Sequence, residues 1–334
     1  MPYLTDDESG IFTTQITRLL RDESTDNIPL LLELIEGGGV NRRIIGYLFG
    51  IAVFHSLKPV AARALKLLQK HAGHDTVRQA EKLKEGAAYH YNEAEYLGKY
   101  RNPEFDIFDF ILANKMCLWH RAGNNRSPFF EISHRTLNLI HYPENIISAA
   151  ICSLDFIQYI TLPGHKQFDL EGTMPYLLEL PLETVLAENL KLETFPSTLF
   201  ALPRLKTLTI RRGTHRPKNP MRVDPEKGPF HSNSLEKLSI DGYSIENEDL
   251  LGTFPSLTSI EITRCNLKSF GFLEQSTKLS HLNLRQNLLP ELPDFLGKLT
   301  QLRWIDLSQN PFKKIELDLS EFFHLEHLEI KLGS

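Results

Sequence analysis

The chain has 334 residues, 41% hydrophobic and 24% charged, with 37 basic against 42 acidic side chains. That balance excludes a disordered chain, and a net charge of −5 supplies no global attraction to nucleic acid or to an anionic membrane. The three cysteines, Cys117, Cys152 and Cys265, are odd in number and far apart, which argues against a disulfide framework and fits a reducing compartment.

The length allows two ordinary domains. The N-terminus MPYLTDDESG is acidic, whereas a secretory signal starts basic and continues apolar. No apolar stretch approaches the length of a membrane span. The expected location is cytoplasmic, with secretion by a route that uses no cleaved signal as the alternative.

Residues 1–121 read as an all-helical domain. Thr5 and Glu8 have the spacing of a capping box, and Phe12, Ile16, Leu19 and Leu20 follow on one helical face. Ile28 to Ile35 is apolar on nearly all sides, so a buried helix is expected there. Gly37, Gly38 and Gly39 end it. They do not form a phosphate cradle, because the Lys-Ser/Thr of such a loop is missing and no strand precedes them.

A second buried helix runs through Ile44, Ile45, Leu48, Phe49 and Val53. A third, after Pro59, places Val60, Ala64, Leu67 and Leu68 on one face and ends near Gly73. Asp75 opens a more polar helix through Val77, Ala80, Leu83 and Ala87, which continues into the tyrosine-rich AAYHYNEAEYLGKY. Asn102, Pro103 and Glu104 read as a cap, first turn and dipole partner for a last helix. That helix carries Phe105, Phe108, Leu112, Met116 and Trp119. Short helices of this kind resemble armadillo or HEAT arrays.

Residues 122–133 read as a linker, rich in turn formers and without an apolar period. Residues 134–334 then carry one pattern repeatedly. Leu279, Leu282, Leu284, Asn287, Leu289 and Leu292 recur 23 residues later as Leu302, Ile305, Leu307, Asn310, Phe312 and Ile315. L-x-x-L-x-L is a short strand that sends its apolar residues inward. The chain then turns, and the Asn side chain satisfies backbone groups that the turn leaves unpaired. No such unit buries its apolar face alone, so the units must stack.

The register extends both ways. Units start at 134, 157, 182, 205, 235, 257, 279, 302 and 325, giving about nine strands, with Cys265 in one Asn position. Their spacings are 23, 25, 23, 30, 22, 22, 23 and 23, and the long one marks an insertion near 213–234. Arg211 to Lys227 holds six basic and two acidic residues.

On this motif, residues 134–330 resemble the leucine-rich-repeat family in its 22–23-residue form. The whole chain is similar to bacterial leucine-rich-repeat proteins with a helical N-terminal region. The resemblance implies an α/β solenoid, a horseshoe with a parallel β-sheet, preceded by an all-α, armadillo/HEAT-like domain.

Catalytic sets are not found in the sequence. His71 and His74 straddle a helix end at Gly73, and no Cys or carboxylate completes a zinc set. Cys265 is expected buried and inert. No enzyme activity, cofactor or metal is expected.

What remains is a surface. The third strand position reads Tyr159, Thr184, Thr207, Lys237, Ser259, His281, Trp304 and His327, all expected on the concave face. The fifth adds Thr161, Leu186, Thr209, Ser239, Glu261, Asn283, Asp306 and Glu329. Arg264, Arg285 and Gln309 follow at the seventh and eighth. An exposed Trp beside Arg has the composition of an interface hot spot, so Trp304, Arg285, His281, Asp306, Glu261, Arg264 and Gln309 are the candidate partner-binding residues. The plain alternative is that any parallel sheet must show polar residues to water.

The expected function is non-enzymatic recognition of a protein partner by a monomeric scaffold. Its rival is anion or nucleic-acid binding through the basic loop, Arg211, Arg212, Arg216, Lys218, Arg222 and Lys227; with the acidic net charge, nucleic acid is the weaker expectation.

Overall fold

The structure is a computed structural model. It describes residues 14–16, 18–20, 27–55, 57–86, 102–118, 135–140, 142–213, 220–224, 226, 231–320 and 322–331. Thr5, Glu8, Phe12, Trp119, the 122–133 linker and the loop residues Arg216, Lys218 and Lys227 lie outside them. The chain forms two compact units. One comprises residues 1–137 with 141–143 and 147–157; the other comprises 138–140, 144–146 and 158–334.

In the first unit, α1 (Asn27–Gly37), α2 (Arg42–Phe54), α3 (Lys58–His71), α4 (His74–Gly86) and α5 (Ile107–Leu118) follow in order. Asn41 caps α2, its Oδ1 accepting from the Ile44 N–H at 3.1 Å. Buried Ile44, Leu48, Phe49 and Ile51 make α2 the central helix, as its all-round apolar sequence dictates. Against α5 it packs through Gly46 and Gly50, one turn apart. A Cβ at Gly50 would stand 2.8 Å from the Ala113 Cβ, so only glycine permits this approach. Phe49 meets Phe105 at 4.7 Å and Phe110 at 5.9 Å between ring centres. Asp109, buried on α5, accepts from Arg43 Nε at 2.9 Å.

The last of these helices starts later than its Asn-Pro-Glu signal suggests. Residues 103–105 form a turn, and Asp106 caps α5 by accepting from the Phe108 N–H at 2.9 Å. Asn102 bonds Thr76 and Gln79, and its Oδ1 accepts from the Glu104 N–H at 2.8 Å within that turn. Glu104 accepts from the Gly73 N–H with both carboxylate oxygens. The restart signal therefore closes the turn between α3 and α4 instead of opening a helix.

A nine-stranded parallel sheet is ordered β1-β2-β3-β4-β6-β8-β9-β10-β11, with the strands from β2 onward in the second unit. Its strands are β1 (Thr136–Asn138), β2 (Tyr159–Thr161), β3 (Thr184–Glu188), β4 (Thr207–Arg211), β6 (Lys237–Asp241), β8 (Ser259–Thr263), β9 (His281–Asn283), β10 (Trp304–Asp306) and β11 (His327–Glu329). Each strand's third position pairs with the next, from Tyr159 with Thr184 to Trp304 with His327. Leu282, Leu284, Ile305 and Leu307 are fully buried inside the stack. At the eighth position the backbone turns left-handed, with φ of 60° at Asn189, 79° at Gly242, 58° at Arg264, 57° at Gln286 and 58° at Gln309. One helix, α6 (Leu170–Leu177), and several 3₁₀ turns make up the return segments.

The Asn positions do what the motif requires. Asn287 accepts from the Cys265 and Leu267 N–H groups at 3.1 and 3.2 Å and donates to the Ile262 and Leu284 carbonyls at 2.6 and 2.9 Å. Asn310 accepts from Leu289 and donates to Leu284 and Leu307, each within 3.2 Å. With its strand register and asparagine ladder, this unit is a leucine-rich-repeat solenoid.

The inserted length falls between Gly213 and Met221. From there β5 (Met221–Arg222) rejoins the stack, pairing with β7 (Ile245–Glu246) as a small second sheet and bridging to Thr194 on its other side. Met221 and Val223 are buried like the apolar residues of any other coil.

Candidate functional site

Alternation along a strand sends the third and fifth positions to the face opposite the leucines. In-register parallel strands lie about 4.8 Å apart, close to the stacking distance of flat rings. The sequence sets His281, Trp304 and His327 at one position of three successive strands. Their rings stack, with centres 4.3 Å apart and planes 9° apart for His281 and Trp304, and 4.9 Å and 11° for Trp304 and His327. The indole is therefore half-buried, not fully exposed as the sequence led one to expect. Both of its faces are covered and its rim remains. His281 Nε2 lies 3.4 Å from Glu261 Oε1, which fixes the outer ring from the next strand.

Arg285 is exposed and makes no ion pair among the described residues. Gln309 is exposed on the neighbouring coil. Asp306 departs from the sequence reading: it is 5% exposed, and its Oδ1 accepts from the Ser308 N–H at 2.9 Å. A carboxylate three residues before the left-handed Gln309 finds the Ser308 N–H within reach, so it closes the turn instead of facing a partner.

Arg264 is also engaged. Its guanidinium grips both oxygens of Asp241, and Thr263 Oγ1 donates to the same carboxylate at 2.8 Å. Partial burial pushes the Asp241 carboxyl up, but Arg264 and Thr263 hold it below the usual range. Arg211, on the preceding strand, lies 3.6 Å from Glu188. Glu188, Arg211, Asp241 and Arg264 thus alternate in sign over four consecutive coils, and the ladder stops before Arg285.

The described arginines of the basic segment are all held. Arg211 faces Glu188, Arg212 donates to the Gly242 carbonyl at 2.9 Å, and Arg222 pairs with Glu246 at 3.2 Å. Arg222 sits on β5 in the second sheet, apart from Arg211 at the end of β4 and Arg212 just after it. A shallow cavity of about 590 Å³ beside it is lined by Glu193 and Asp224 as well as Arg222, a mixed-sign wall.

Among the described residues, no group of three His, Cys, Asp or Glu side chains is placed to hold a metal ion. Burial pushes the Cys265 thiol up to about 12, and its Sγ donates to the Thr263 carbonyl at 3.1 Å, so it is not a nucleophile at neutral pH. No helix among the described residues is long and apolar enough to cross a membrane.

No protein-family profile and no curated protein matches the chain. Among solved structures it is similar to an internalin (inlF) of Listeria monocytogenes, 15% identical, covering 50% of this chain and 58% of that one, with a TM-score of 0.32. It is similar to internalin C2 of the same organism, 19% identical over 60% of this chain and 80% of that one, TM-score 0.44. A leucine-rich-repeat protein of Leptospira interrogans is 17% identical over 60% of this chain and 55% of its own, TM-score 0.42. The chain thus spans less than two thirds of the first and third of these proteins.

Proposed function

We propose that this leucine-rich-repeat chain is a protein-recognition scaffold, and that the concave strand face from β8 to β11 holds a protein partner without catalysis. The observation that carries this is the His281–Trp304–His327 stack, followed four residues after His281 by an exposed Arg285 that the charge ladder leaves unpaired. A stacked indole is already held in one orientation, so a partner that covers its rim orders little further. Aromatic and arginine side chains arranged in this way dominate the energetics of protein interfaces. With the faces of Trp304 occupied, stacking on a sugar or base is not open to it. The partner offers an apolar group to the indole rim and a carboxylate to Arg285.

The test starts from a partner captured with the full chain. Trp304→Ala with Arg285→Ala abolishes its binding, and binding declines only weakly as salt rises. If Arg211→Ala with Arg212→Ala removes binding instead, in steps that follow ionic strength, the basic segment is the site and this reading fails.

A further inference from the structure

Ser308 follows the inward-pointing, fully buried Leu307, so alternation turns it to the same face as Trp304 and Asp306. It is 3% exposed, and its Oγ has no hydrogen-bond partner among the described residues. Other buried hydroxyls are paired. Ser276 Oγ donates to the Phe254 carbonyl at 3.1 Å, and Thr173 Oγ1 donates to the Asp169 carbonyl at 2.8 Å. A buried polar group left unpaired weakens a fold, so such groups are rare and mark a place that something else completes.

The register says what stands next to this hydroxyl. Asp306 pairs with Asn283, and two residues further on the Gln286 N–H donates to the Ser308 carbonyl at 3.0 Å. Ser308 is therefore in register with Arg285 on the preceding coil, at the interstrand spacing of about 4.8 Å. Arg285 is exposed and makes no ion pair among the described residues, and Gln309, next in the chain, is exposed as well. The unpaired hydroxyl is thus sunk between side chains that rise to solvent.

We propose that the partner carboxylate that meets Arg285 also accepts a hydrogen bond from Ser308 Oγ, which makes Ser308 the residue that selects an aspartate or glutamate side chain. This inference rests on the reading of the concave face given above. A guanidinium alone attracts any anion. The hydroxyl adds one directed donor on the adjacent coil, and a carboxylate has two oxygens to divide between the two groups. Phosphate fits less well, because its second charge falls close to the buried Asp306 two residues earlier. A neutral amide gains no ion pair with Arg285. Since the hydroxyl is unpaired in the free chain, its removal costs the fold nothing and costs the complex a bond. A serine bonded within the fold behaves in the opposite way.

Acetate and phosphate are titrated into the full chain at ionic strength matched with chloride, and backbone amide NMR shifts are read. Acetate moves the Ser308 and Arg285 amides saturably, and phosphate binds more weakly. Ser308→Ala weakens acetate binding by about tenfold and melts at or above the parent temperature. Acetate that leaves these amides unmoved, or that binds Ser308→Ala as it binds the parent, overturns the proposal. So does phosphate binding as tight as that of acetate, or a lower melting temperature for Ser308→Ala, which marks the hydroxyl as bonded within the fold. The captured partner separates the two readings. If Trp304→Ala with Arg285→Ala abolishes its binding and Ser308→Ala does not reduce it, the recognition reading stands and this inference fails. If acetate binds through Ser308 while partner binding ignores all three residues, the carboxylate site stands and the recognition reading fails.

Discussion

The Tyr243 hydroxyl donates to the Leu190 carbonyl at 2.8 Å, across 53 residues of chain. Both residues occupy the ninth position of their repeats, the place of asparagine in the motif. Between them stands the coil of Gly213, which has no side chain to offer. Tyr243 is fully buried, and its phenol spans the gap that the glycine leaves. Burial pushes that hydroxyl up to about 12, so it stays a donor at neutral pH.

Two substitutions probe this bridge. Tyr243→Phe strands a buried carbonyl and costs about 1–3 kcal/mol in denaturant unfolding. Gly213→Ala is destabilising for another reason: φ is 60° there, and a Cβ would lie 1.7 Å from Asn189 Oδ1. If Tyr243→Phe unfolds at the parent midpoint, water replaces the phenol and the bridge has no structural weight.

The solenoid was legible in the sequence because its pattern is a repeat. The third-position column from Tyr159 to His327 is paired as the leucine spacing demanded. Cys265 was readable in an asparagine position, but Tyr243 was not, since it solves the same hydrogen-bonding problem with different chemistry. Glu248 is a further case. It stands where other coils carry an apolar residue, and its buried carboxylate accepts from the Lys268 and Ser269 N–H groups at 2.8 and 3.3 Å. Of the candidate face, the neighbours were readable but not their engagement. Periodicity says that Asp306 ends a strand and that Arg264 follows one; it does not say that a turn N–H and Asp241 claim them. In the helical unit, Gly46 and Gly50 gave no signal, because close helix approach depends on the facing Ala113.

The asparagine ladder makes a graded prediction. Asn287→Ala breaks bonds to two N–H groups and several carbonyls, and Asn310→Ala breaks a similar set. Each costs about 1–3 kcal/mol in chemical denaturation. Asn233→Ala, at an exposed position, stays within about 0.5 kcal/mol of the parent. Equal effects at all three would mean that the ladder carries no stability.

The helical unit carries a pH signature. Burial pushes the Asp109 carboxyl up to about 6 from its ordinary 3.8, against the pull of Arg43. Between those values the folded chain binds more protons than the unfolded chain. Stability therefore falls as pH rises through that window, by about 1–3 kcal/mol from this group. Asp109→Asn removes the decline and still offers Arg43 an acceptor. Thermal melts at a series of pH values compare the two slopes, and identical slopes would refute the assignment. In the same interface Gly50→Ala forces a Cβ against Ala113, and this overpacking costs about 1–3 kcal/mol even though alanine favours the helix.

The last prediction separates stability from recognition at Trp304. Its ring rests between two imidazoles, so truncation removes two stacks as well as a partner's contact. A stacked aromatic pair contributes about 0.5–1.5 kcal/mol beyond its buried area. Trp304→Ala should therefore destabilise the solenoid by about 1–3 kcal/mol, more than an exposed tryptophan would. A double-mutant cycle with His281→Ala isolates one stack, with a coupling of about 0.5–1.5 kcal/mol expected. Arg285→Ala leaves the melting temperature in place, because the guanidinium holds no ion pair among the described residues. The binding loss of Arg285→Ala alone is then free of any folding defect. Should it leave partner binding intact while Trp304→Ala weakens it only as far as it weakens the fold, the aromatic column is a structural spine of the sheet, and recognition lies elsewhere on the solenoid.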